Sequence, residues 1–187
     1  PLMAEPAERH TPYEELLKVP PELVAEILGG RLVTHPRPAP RHALASSSLG
    51  DELVGPFQKG RGGPGGWWIL DEPELHLESD VLVPDIAGWR RQRMPQLPDT
   101  AWFETVPDWI CEILSPSTAR DDRVVKMPIY ARAGVGHLWL LDPALCTLEV
   151  YGLESGRWVL LESHRDDERV SAPPFDSVEI GLGDLWA

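Results

Sequence analysis

The segment Trp109 to Leu114, WICEIL, is apolar on both of its alternating faces: Trp109, Cys111 and Ile113 share one, while Ile110, Glu112 and Leu114 share the other. A strand with two apolar faces has to be covered from both sides, so this run belongs in the middle of a layered domain. A helix pattern follows over Thr118 to Ala133, with Thr118 as N-cap, Asp121 three residues on and Gly134 just past the end. Pro128 inside it removes one backbone bond and crowds the preceding turn, so the helix should weaken or bend there. The stretch GHLWLLDP then reads as another strand, which makes a strand-helix-strand unit. Within it Glu112 alone interrupts the apolar run, and a partly buried carboxylate needs a cation, a metal or hydrogen bonds to stay ionised.

The flanking segments predict a mixed α/β fold with hairpins on either side of that unit. Thr11, Pro12 and Glu14 form a capping-box pattern that opens a short helix over Pro12 to Lys18. Two apolar runs meet at Gly29-Gly30, a hairpin signal, and Pro40 to Phe57 has helical apolar spacing. Lys59 to Gly66, KGRGGPGG, reads as a mobile surface loop that enters the strand-like WWIL, not the helix that a phosphate-binding loop requires. Strands are expected at Trp67 to Leu70, Leu75 to Leu77, Val81 to Trp89, within TLEVYGL and RWVLLES, and around Val178 to Ile180. The 187 residues, 42% of them hydrophobic, suit one domain spanning 1–187. With no apolar run of about 18 residues and no signal-like N-terminal order, the expectation is a soluble cytoplasmic protein that does not enter a membrane. Cys111 and Cys146, both in apolar strand-like runs, read as small core residues.

Two further polar residues stand out. Asp85 lies in VLVPDIAGW, where strand periodicity puts it on one face with Val81, Val83 and Ala87. Lys126 shares a helical stripe with Asp122 and Tyr130, and only Lys18, Lys59 and Lys126 among the 17 basic residues are lysines. Two carboxylates on neighbouring strands and a nearby lysine can serve a hard divalent cation such as Mg²⁺, with the lysine positioning a metal-bound water or countering charge that develops at phosphorus. The same residues also suit a bland arrangement. Asp85 could cap a turn, Glu112 could pair with Lys126 or an arginine, and Lys126 could be a solvated residue paired to Asp122. The net charge of −13 argues against a general electrostatic grip on nucleic acid. A local groove from Arg90, Arg91, Arg93, Arg120, Arg123 and Lys126 stands against the alternative of scattered solubilising arginines.

VPDIAGW followed by PDWICEILSPSTARDDRVVKMPIYARAGVGHLWLLDP resembles the Uma-two family, a bacterial group of restriction-endonuclease-like proteins in the PD-(D/E)XK nuclease superfamily. The resemblance covers roughly Pro12 to Tyr151, and the opening AEILGGRLV and His42 match it as well. It implies a restriction-endonuclease-like fold, with a central mixed β-sheet flanked by helices and an N-terminal hairpin. It also implies Mg²⁺ or Mn²⁺ held by Asp85, Glu112 and the backbone carbonyl of Ile113, Lys126 as the catalytic lysine, and DNA as substrate. Glu26, His42, Asp122 and Tyr130 become supporting residues, with helix packing as the alternative role for His42. The chain departs from the wider superfamily at Leu114, where the lysine normally sits two residues after the glutamate. Two functions are therefore carried forward. One is a metal-dependent endonuclease; the other is a non-catalytic interaction protein that keeps the fold as a scaffold, with a homodimer as one form and the tryptophans as contact surface.

Overall fold

Each element forms for a local reason that the sequence carries. The computed structural model describes residues 11–187. Residues 1–10, included in the expected single domain, lie outside the described residues. Thr11 caps α1 (Pro12–Leu16) through a reciprocal pair of bonds: its Oγ1 accepts from Glu14 N–H at 3.3 Å, and its own N–H donates to the Glu14 carboxylate at 2.8 Å. Gly29 and Gly30, at φ 58° and 78°, turn β1 (Leu23–Leu28) into β2 (Arg31–Pro36) in antiparallel register. Helix α2 (Pro40–Leu53) runs on into a π-helical turn at Val54–Gln58, and Ala45, Leu49, Leu53 and Phe57 form its buried stripe.

The expected strand over Val81 to Trp89 is two strands. β3 (Trp67–Asp71) pairs with β6 (Ile86–Arg90), whereas β4 (Leu75–Leu77) pairs with β5 (Asp80–Leu82) in a different sheet. Proline has no N–H to give to a ladder, so the strand breaks at Pro84, and the neighbouring Val83 N–H donates to the Glu26 side chain instead. Asp85 therefore sits at a corner between sheets and not on a continuous apolar face.

Beyond the corner, β7 (Trp109–Ile113) leads into α3 (Ala119–Asp121), a π-helical turn (Asp122–Lys126) and α4 (Met127–Ala133). Thr118 stands at the N-cap position but makes no side-chain cap bond; its Oγ1 accepts from Ser115 N–H at 3.3 Å instead. The predicted disturbance at Pro128 is the π turn immediately before it, one of the few ways a helix accommodates a missing donor. β8 (His137–Asp142), β9 (Thr147–Glu154), β10 (Arg157–Arg165), β11 (Arg169–Val170) and β12 (Ile180–Gly181) follow. Cys146 lies in the turn between β8 and β9 at φ 52°, outside any strand.

The strands form a four-stranded sheet in the order β2-β1-β5-β4, a six-stranded sheet in the order β10-β9-β8-β7-β6-β3, and the β11-β12 pair. In the larger sheet only β7 and β8 run parallel, joined across by the α3–α4 segment. β7 divides the core as its alternation predicts. Trp109, Cys111 and Ile113 join α2 and the C-terminal segment, and Ile110 and Leu114 join α4.

Phe175 anchors the first of these clusters, with its ring 4.6 Å from Phe57, 4.8 Å from Trp67, 4.9 Å from Trp109 and 5.7 Å from Trp139. Phe175→Ala should lower unfolding free energy by about 3–5 kcal/mol in urea titration, as expected for a fully packed aromatic. A loss below about 1 kcal/mol would show that the C-terminal segment is not part of the core.

Candidate active site

Four elements deliver polar side chains to one place. β1 contributes Glu26, the β5–β6 corner Asp85, β7 Glu112, and the π turn Asp122 and Lys126. The register Ile86↔Cys111 brings the corner alongside Glu112. Lys126 is 4% exposed, and its Nζ lies 2.7 Å from Glu112 Oε1, 3.0 Å from Glu26 Oε1 and 3.6 Å from Asp122 Oδ1. Tyr130, one turn further along the stripe, donates its hydroxyl to Glu112 Oε1 at 2.6 Å. Asp85 Oδ2 accepts from Ile113 N–H at 2.6 Å, and its Oδ1 is 3.1 Å from His42 Nε2. The outer side of this cluster opens into a 280 Å³ pocket walled by Pro36 to Ala39 and by Ser115 to Thr118.

Carboxylates outnumber cations here, and the proton affinities reflect it. Burial raises the Glu112 pKa, and Asp122, Asp85 and Glu26 raise it further, so it stands well above the ordinary carboxylate value despite the pull of Lys126. Burial and the neighbouring carboxylates likewise raise Asp122. Burial works against charge on Lys126 too, but Glu112, Tyr130, Glu26 and Asp122 overrule it and hold the ammonium charged. Glu26 goes the other way. Burial would raise it, yet Lys126, His35 and the Val83 N–H together hold it at about 2.

This donor set fits a hard divalent cation. The carboxylates of Asp85 and Glu112 line the pocket and offer the hard oxygens such a cation takes, whereas Ile113, the third expected donor, is fully buried and is not among the lining residues. Among the described residues no three His, Cys, Asp or Glu side chains form a metal-holding group. Mg²⁺ differs from zinc in this respect, because it is commonly held by one or two carboxylates together with waters and substrate oxygens. The Tyr130 hydroxyl and the Lys126 ammonium both meet Glu112 at Oε1.

Asp85, Glu112, Lys126, Glu26, His42 and Asp122 all line the pocket, and Tyr130 stands behind Glu112. The arginine groove does not form. Arg90 and Arg91 lie over the Trp67 and Trp68 rings, Arg93 pairs with Asp108, Arg123 with Glu149, and none of these or Arg120 lines the pocket. Among the described residues Arg37 is the guanidinium at its wall, and it is 3.6 Å from Glu72. His35 is a pocket residue that sequence reasoning passed over; its Nε2 lies 3.4 Å from Glu26 Oε2. The hairpin register held the signal, since a turn at Gly29-Gly30 sets Val24 opposite His35 and Glu26 opposite Val33.

The Glu26 shift makes a pH prediction. A carboxylate held near 2 when folded and near 4.5 when free contributes stability above the free value and loses it as pH falls through the folded one. At 1.36 kcal/mol per unit, Glu26→Gln should cost about 3 kcal/mol at neutral pH. In urea titrations the deficit should shrink between pH 4.5 and the acid limit; a deficit independent of pH would contradict the ion-pair account.

No protein of curated function matches the chain in sequence. Among solved structures it is similar to a protein from Anabaena variabilis ATCC 29413 described as "a putative nuclease belonging to DUF820". The two share 25% identity at a TM-score of 0.71, over 95% of this chain and 97% of that one. A match over that extent assigns the restriction-endonuclease-like fold. The Uma2 family model, described as "Putative restriction endonuclease", matches residues 11–182, and the chain therefore belongs to that family.

Proposed function

We propose that this protein is a metal-dependent endonuclease that hydrolyses phosphodiester bonds of DNA in the cytoplasm. The observation that carries the reading is the convergence of Asp85, Glu112 and Lys126, from a sheet corner, a central strand and a helix, on one pocket. Asp85 and Glu112 would hold Mg²⁺ or Mn²⁺, which when bound would supply an activated water and charge neutralisation at phosphorus. The chain's own groups prepare that chemistry. Lys126, held among three carboxylates, presents a fixed positive charge where the phosphoryl oxygens gain negative charge. Tyr130 fixes the Glu112 carboxylate from behind, and His42 and the Ile113 N–H fix the two oxygens of Asp85. Glu26 and Asp122 keep the ammonium in place.

Family membership and the nuclease-like neighbour support a nuclease. No described helix is long and apolar enough to cross a membrane. The second reading, an interaction protein without chemistry, has its own observation. Strand β10 is an edge of the large sheet and exposes Val159, Leu160 and Leu161, which would suit pairing with a second copy.

Purified protein incubated with DNA and Mg²⁺ or Mn²⁺ separates the two. The nuclease reading expects cleavage that falls at least about 100-fold in both Glu112→Ala and Lys126→Ala. Cleavage that survives both substitutions would sink the assignment, and inertness in a protein that sediments as a dimer would favour the second reading.

A further inference from the structure

The small sheet has a cavity on each side. Successive residues of a strand face opposite ways, so β1 sends Glu26 into the active-site pocket and Ile27 into a separate space of 550 Å³ beside the start of α1. No residue lines both. The second volume falls within the roughly 300–1,000 Å³ of small-molecule sites.

Three rings stand in contact along the wall of this second cavity. His76 stacks on Trp102 with 4.9 Å between centroids, and Tyr13 meets His76 edge-on at 5.0 Å and Trp102 at 6.4 Å. The segment that carries Trp102 and Glu104 is tied to β4 through Phe103, whose carbonyl accepts from His76 N–H at 2.8 Å and whose N–H donates to the Glu74 carbonyl at 2.9 Å. The rings are thus held in place by backbone bonds. Tyr13 and Trp102 are only half-buried, so ring surface remains for a ligand.

Charge decides which ligand suits the space. Glu78, Asp80 and Glu104 line it, and no lysine or arginine does. Glu74 adds a further carboxylate behind the rings, accepting from the Tyr13 hydroxyl at 3.1 Å and meeting His76 Nε2 at 2.7 Å. Arg132 offsets part of this from outside the lining, at 2.9 Å from Asp80 Oδ2 and 3.5 Å from Glu78 Oε2. The Glu104 carboxylate has no ion pair among the described residues. An aromatic face is the negative end of the ring quadrupole, so rings and carboxylates alike favour a cation and oppose an anion. The active-site pocket, by contrast, has carboxylates but no Phe, Tyr or Trp in its lining.

We infer that the cavity under Tyr13 and Trp102 is a binding site for a free, compact organic cation, an alkylated ammonium whose apolar groups pack on the rings and on Ile27 while its charge faces Glu104 and Glu78. The site is independent of the endonuclease reading and goes beyond it.

Three probes of nearly the same shape test this with the full-length chain: choline, its neutral carbon isostere neohexyl alcohol, and the anion tert-butylacetate. In ligand-observed NMR titrations choline should bind with a Kd of about 1 mM or tighter, at least about fivefold tighter than the alcohol, and the anion should not bind. Trp102→Ala should weaken choline at least about fivefold and Trp102→Phe by less, because the second keeps a ring. Glu104→Gln, an exposed position that the fold does not depend on, should weaken choline at least about twofold without changing the affinity for the alcohol. Asp85→Asn in the active-site pocket should leave choline binding unchanged. Equal affinity for choline and the alcohol would reduce the cavity to an apolar cleft and overturn the inference. Loss of choline binding in Asp85→Asn would place the ligand in the other pocket and overturn it as well. So would the absence of choline binding, including a result in which the protein sediments with phosphatidylcholine vesicles yet ignores the free cation.

Discussion

The ammonium of Lys126 is the point on which the site depends. It is buried, and Glu112, Glu26 and Asp122 from three different elements close around it. Without that charge, carboxylates that are nearly removed from water would face one another, and an uncompensated buried charge costs several kcal/mol. The helix, the hairpin and the central strand are therefore coupled through one side chain. The hydroxyl of Tyr130 completes the set by giving Glu112 a neutral donor on the side away from the pocket.

Stability alone does not explain such a cluster. Replacing a buried ion network by well-packed apolar residues is often neutral or favourable, so the polar set is a poor device for holding a fold together. The aromatic cluster around Phe175 on the other face of β7 performs that task without ionisable groups. Two apolar cores thus share one strand, and the polar set interrupts only the second. Trp109, Cys111 and Ile113 pack it against α2 and the C-terminal segment, while Glu112 faces α4 and the pocket. An excess of carboxylates over cations in a cleft is the pattern expected where a divalent ion and a phosphate are to be received.

Much of this arrangement was legible in the sequence, and the parts that were not have a common cause. The faces of WICEIL, the Asp122-Lys126-Tyr130 stripe and the capping box at Thr11 are set by nearest-neighbour geometry, and local periodicity reads such features directly. The corner at Asp85 was hidden because the apolar alternation of Val81, Val83 and Ala87 continues across a change of sheet that only Pro84 marks. His35 was missed because its partner Glu26 is reached across a hairpin, and the arginines were misplaced because their tryptophan and carboxylate partners lie far along the chain. Leu114 carries no charge, and the ammonium beside Glu112 comes instead from Lys126 at the end of the π turn before Pro128.

The central claim is that Asp85 and Glu112 form the acidic half of a divalent-cation site that Lys126 completes. Calorimetric titration of Mn²⁺ into the wild-type protein and into Asp85→Asn and Glu112→Gln tests it without reference to any substrate. The account predicts one equivalent of Mn²⁺ bound by the wild type and loss of that binding in both variants. No binding by the wild type, or binding unchanged in the variants, would contradict it.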